Sequence, residues 1–170
     1  MVKLVSTEER IILGIDPGFT ATGYSVLRSY KGKTELIDCG AISLPASNSL
    51  EQRLGQFFDF FTAKIMSHKI NEIALETPFL GKNAQNFLKL GYLRGILLLL
   101  AYQHGCRVRE FSPRSVKLAV TGSGAADKDQ VMRVILRLFP RLGAPHRYDI
   151  TDAIAVSLCC LWCSDKLPRC

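Results

Sequence analysis

A chain of 170 residues is the size of one domain with a core of its own, large enough to need no disulfide or metal staples. Its 22 lysines and arginines against 15 aspartates and glutamates leave a net charge of +7, which favours an anionic partner: nucleic acid, an acidic membrane surface or an acidic substrate. The first ten residues are mostly polar and hold no signal-peptide core, and the greasiest run, 96–102, is far too short to span a bilayer. The expectation is therefore a cytoplasmic protein whose six cysteines are reduced. Cys159, Cys160 and Cys163 cluster, but no second pair or histidine stands at zinc-finger spacing, so they read as small buried apolar residues.

One domain over 1–170 is expected, with 1–10 as a loose lead-in. The first element is the run Ile11-Ile12-Leu13-Gly14-Ile15, which enters Asp16-Pro17-Gly18. A short apolar run closed by turn residues predicts a strand buried on both faces. An aspartate at the end of such a strand is costly unless its charge is compensated. Taken alone, Asp16 reads as turn chemistry or as a metal ligand.

Residues 21–28 and 34–42 carry β-type side chains around the hairpin-like turn Tyr30-Lys31-Gly32-Lys33, which predicts an antiparallel meander. Leu50, Leu54, Phe57, Phe58, Phe61 and Ile65 fall on one helical face. A fourth strand, 70–76, ends on Glu76. A second helix over 83–103 is apolar nearly all round and should be largely buried, with Gly91 and Gly95 allowing close backbone packing. A fifth strand covers 106–111. Ser112-Pro113 then supplies an N-cap and first-turn proline for a short helix to Val120, and Asp127 with Gln130 resembles a capping box for the next. A last helix starts near Asp149–Asp152 and runs to about Trp162. The order βββαβαβααα is an α/β layout: a five-stranded mixed sheet flanked by helices on both faces.

Three elements deliver acids at their ends: Asp16, Glu76 and the pair Asp149/Asp152. If strands 1 and 4 are neighbours, Asp16 and Glu76 lie side by side, and residues i and i+3 of a helix share a face. Each acid alone has an ordinary explanation; for the helix pair it is capping and the helix dipole. Together they would repel strongly unless cations bind between them, and hard oxygen donors suit Mg²⁺ or Mn²⁺. Two such ions are standard apparatus for phosphoryl chemistry. With the basic balance, a phosphodiester backbone is the natural substrate.

The chain closely resembles the RuvC family of crossover junction endodeoxyribonucleases. The resemblance rests on Gly14-Ile15-Asp16-Pro17-Gly18 with Thr22-Gly23-Tyr24, on Glu76-x-x-Phe79 followed by Lys82-Asn83-Ala84, and on Leu88-Lys89-Leu90-Gly91-x-x-Arg94-Gly95. It continues through Pro113-Arg114-x-Val116-Lys117, Gly122-x-Gly124 with Lys128-x-Gln130-Val131, and Asp149-x-x-Asp152-Ala153-x-Ala155. It implies a ribonuclease H-like fold, a homodimer, Mg²⁺-dependent symmetric nicking of a four-way (Holliday) junction with 5′-phosphate and 3′-hydroxyl ends, and partnership with the motor proteins RuvA and RuvB. By position it implies an acidic tetrad of Asp16, Glu76, Asp149 and Asp152, with two ions per active site shared among them, and Lys117 and Lys128 beside the scissile phosphate. Phe79 matches an aromatic that wedges bases, against core packing as the plain alternative. Lys82, Lys89 and Arg114 join the lysines as phosphate contacts. His146 is a loop histidine or a catalytic assistant. Other readings are a related nuclease acting on RNA, an actin-like ATPase or sugar kinase, and a junction-binding protein without cleavage.

Overall fold

The isoleucine run becomes the central strand of a mixed sheet. In the computed structural model, which describes residues 8–77, 84–143 and 148–163, β1 (Arg10–Asp16) runs antiparallel to β2 (Ala21–Tyr30) and parallel to β4 (Glu72–Glu76). β3 (Lys33–Ser43) pairs antiparallel with β2, and β5 (Arg107–Phe111) pairs parallel with β4, so the order is β3-β2-β1-β4-β5. Strand alternation splits β1 between two cores: Leu13 and Ile15 join Val26, Ile73 and Leu75 on one face, while Ile12 joins Leu27 and Ala74 on the other. The sheet starts at Arg10, one residue inside the expected lead-in. Its guanidinium grips the buried Glu72 at 2.6 and 2.8 Å.

Helices cover both faces, as the element order predicts. α1 (Leu50–His68) and α2 (Ala84–His104) close the first core. Phe57, Phe61 and Ile65 carry the buried face of α1, while Leu50 in its first turn stays exposed. α3 (Pro113–Thr121), α4 (Lys128–Leu138) and α5 (Tyr148–Trp162) close the second core. Ser112 caps α3 by accepting from Ser115 N, and Asp127 and Gln130 form the full capping box of α4.

α2 departs from expectation. Only Leu93, Leu97, Leu100 and Ala101 are buried; Leu88, Tyr92, Leu98, Leu99 and Tyr102 face outwards. A Cβ added at Gly91 or Gly95 would meet nothing, so these glycines sit on the open face and not in a close internal contact. The sheet covers one side of a helix, and this helix is apolar on two. Among the described residues no helix is long and apolar enough to cross a membrane. The cysteines Cys39, Cys106, Cys159, Cys160 and Cys163 are free thiols.

Candidate active site

Parallel pairing of β1 with β4 brings the first two acids together. Ile15 stands opposite Leu75, so Asp16 and Glu76, next along each strand, leave the sheet at the same edge. The α2 residue Arg94 donates to the main-chain oxygen of Glu76 at 2.9 Å and holds that strand end in place.

The other two acids arrive on α5. This helix lies across β1 and β2 because two strand residues lack side chains. A Cβ at Gly14 would overlap Ser157 and the carbonyl of Ala153, and one at Gly23 would overlap the carbonyl of Asp149. Gly23 is the register partner of Asp16, so the first turn of α5 is seated directly beside that aspartate. Ser25 fixes the middle of the helix by bonding Ala153 O at 3.0 Å and Ser157 Oγ at 2.6 Å. At the far end, Arg10 and Arg109 both donate to the Cys160 carbonyl, at 3.2 and 3.0 Å. Cationic groups belong at a helix C-terminus.

The four acids feel one another. The carboxyl of Asp16 is pushed up to about 7, first by burial and then by the charges of Asp152, Glu76 and Asp149, with Lys128 opposing. Glu76 is raised by burial and by Asp152, with Lys128 and Lys117 opposing. Lys128, the first residue of α4, donates to Asp152 at 2.9 Å and is itself held protonated by that bond and by Asp16 and Asp149. Among the described residues no three acidic, histidine or cysteine side chains close tightly enough to grip a metal ion. The acids are coupled through charge, and one of them is paired to a lysine.

The structure thus gathers Asp16, Glu76, Asp149, Asp152, Lys128 and Lys117 at one sheet edge. Arg114 is exposed on α3, its stem packed against Gly124 of the following loop. Lys89 lies on α2 with its ammonium 5.5 Å from the centre of the Phe19 ring. Phe79, Lys82 and His146 lie outside the described residues. Motif reading missed the Lys128–Asp152 pair, the Arg94 bond to Glu76, and the seating role of Gly14 and Gly23. A glycine inside a strand was the available signal for the last, since it marks close approach of another backbone.

A family model described as crossover junction endodeoxyribonuclease RuvC matches residues 12–160, a stretch that takes in all four acids. The chain belongs to the RuvC family. Curated RuvC relatives agree: that of Chlorobaculum parvum is 42% identical over 149 residues, covering 88% of this chain and 80% of the relative. That of Halorhodospira halophila is 41% identical and covers 87% of each chain. Among solved structures, Thermus thermophilus RuvC superposes with a TM-score of 0.78 at 25% identity, over 88% of this chain and 92% of that one. The yeast mitochondrial Holliday junction resolvase Ydc2 shares the fold, with a TM-score of 0.63 at 13% identity, over 87% of this chain and 76% of the other. The architecture is therefore that of the RuvC resolvases, a ribonuclease H-like sheet with helices on both faces.

Proposed function

We propose that this chain is a structure-selective endonuclease that resolves four-way DNA junctions by metal-dependent hydrolysis. The observation that carries the reading is the convergence of Asp16, Glu76, Asp149 and Asp152 at one edge, beside Lys117 and Lys128. The donor set is all carboxylate oxygen, which suits Mg²⁺ with Mn²⁺ as a substitute. Asp16 is raised to about 7 by burial first and then by the acids around it, which Lys128 only partly offsets, and a divalent cation would compensate that charge. Two bound ions would activate the attacking water and stabilise the leaving oxygen, giving 5′-phosphate and 3′-hydroxyl ends.

The remaining roles fall to side chains of this chain. Lys117 and Lys128 hold the scissile phosphate against the acids, and Arg114, Lys89, Lys82 and Phe79 serve the flanking DNA. Lys128 also fixes the position of the Asp152 carboxylate through the 2.9 Å bond. Arg94 and the two glycines set where Glu76 and Asp149 stand, and a displacement near 1 Å in such a site costs about a hundredfold in rate.

A homodimer fits the outer face of α2. Leu88, Leu98, Leu99 and Tyr102 are 57%, 46%, 49% and 86% exposed along a helix about 31 Å long, with Gly91 and Gly95 open between them. An exposed apolar face of that size marks an interaction surface. A second copy seated there would set two identical sites about a two-fold axis, matching the symmetry of a four-way junction. Work with RuvA and RuvB belongs to the same proposal.

The test is cleavage of a synthetic mobile four-way junction with nick sites mapped on all strands. Paired nicks at symmetric positions in Mg²⁺ are expected. Equal degradation of linear duplex, cutting of RNA instead, or ATP turnover without nicking would refute the proposal.

A further inference from the structure

The positive charge is unevenly placed. Between residues 113 and 143 the chain carries six lysines and arginines against two aspartates, more than half of its net +7. Both aspartates are engaged: Asp127 accepts from Gln130 N at 2.7 Å, and Asp129 accepts from the Tyr148 hydroxyl at 2.7 Å. Arg133 and Arg137, one turn apart on α4, are exposed and have no hydrogen-bond or ion-pair partner among the described residues. They line a groove of about 240 Å³ between α4 and the end of α3, together with Thr121, Ser123 and Gln130.

The groove adjoins the active site along α3. Thr121 lies one turn beyond Lys117 on the same face of α3 and bonds its carbonyl at 2.8 Å; Lys117 in turn bears on Glu76. α4 opens with Lys128, which holds Asp152. A strand held at Lys117 therefore meets the mouth of the groove about 6 Å, one helical turn, further on.

We infer that this groove is a second phosphate-binding site, in which Arg133 and Arg137 take the DNA backbone a few nucleotides from the cut. Two neighbouring guanidinium groups repel when nothing lies between them, and a planar fork of donors matches phosphate oxygens. The Ser123 hydroxyl, whose oxygen accepts from Ala125 N at 3.4 Å, keeps its proton to donate at the rim. This site deepens the junction-nuclease reading and rests on it.

The double variant R133A/R137A tests the inference, since both side chains are exposed and their truncation leaves the core intact. Junction affinity at about 0.1 M salt should fall on the order of tenfold, and the slope of log affinity against log salt should flatten by about two. Replacing single phosphates near the nick with neutral methylphosphonates should weaken the parent at a few positions and leave the double variant indifferent there. Cutting lost at low protein concentration should return as concentration is raised. An unchanged affinity and slope would overturn the inference and leave the groove to an acidic protein partner. A cutting defect that persists at saturating protein would also overturn it. A parent chain that cuts no junction at all would instead defeat the nuclease reading itself, so the two failures are told apart.

Discussion

Replacing Asp16 with asparagine should stabilise the fold while ending its activity. The carboxyl titrates at about 7 in the fold and at 3.8 in an unfolded chain. Folding therefore favours the protonated form. Below pH 3.8 both states carry the proton and Asp16 has no effect on stability. Above it, the unfolded chain ionises first and stability falls, until the loss levels off near pH 7. Three decades of proton affinity correspond to about 4 kcal/mol as a ceiling, and water entry and relaxation bring this to about 2. For a chain of this size that is a rise in Tm of about 4–8 °C for D16N at pH 8 without divalent cations. Thermal unfolding of both proteins from pH 4 to pH 8 is the assay. The gap should open steadily with pH and be nearly closed at pH 4. A variant no more stable than the parent at pH 8, or a gap that widens on acidification, would refute the burial of Asp16 among neighbouring carboxylates. Adding Mg²⁺ should raise the parent's Tm and leave D16N almost unmoved, since a ligand stabilises only the state that binds it.

Gly23→Ala should push the first turn of α5 off β2, because the new methyl meets the Asp149 carbonyl; about 1–3 kcal/mol of stability and tenfold or more of cleavage rate should go, read by unfolding and junction assays. A fully active, fully stable variant would show that α5 is not seated through this glycine. Leu98→Glu with Leu99→Glu should leave Tm nearly unchanged, since both are about half exposed, yet convert a dimer into a monomer by light scattering and abolish paired nicking. A dimer that survives both charges would move the interface elsewhere. Lys128→Ala removes the cation that lowers both Asp16 and Glu76, so cleavage should drop about 10–100-fold and its pH profile should move to the alkaline side. An unshifted profile would remove Lys128 from the site.

Much of this was legible because local signals agreed with the global fold. The β1 run, the α1 stripe, the Ser112-Pro113 start and the Asp127/Gln130 box each named an element, and parallel pairing then made Asp16 and Glu76 neighbours. Two things were not legible. The second apolar face of α2 is left uncovered by the chain's own described residues, so hydrophobicity alone read as burial where the structure shows Leu98 and Leu99 exposed. The far anchors of α5, Arg10 with Glu72 and Arg109 on the Cys160 carbonyl, join residues distant in sequence and leave no periodic trace. The same holds for Lys128 and Asp152, 24 positions apart.

Divalent-cation binding, followed by calorimetry with Mn²⁺, tests the shared acidic pocket most directly. The parent should bind Mn²⁺ at the site, and Glu76→Gln and Asp152→Asn should each lose most of that affinity while keeping the fold. Binding in either variant equal to the parent's would mean that these side chains, though gathered at one edge, do not hold metal together.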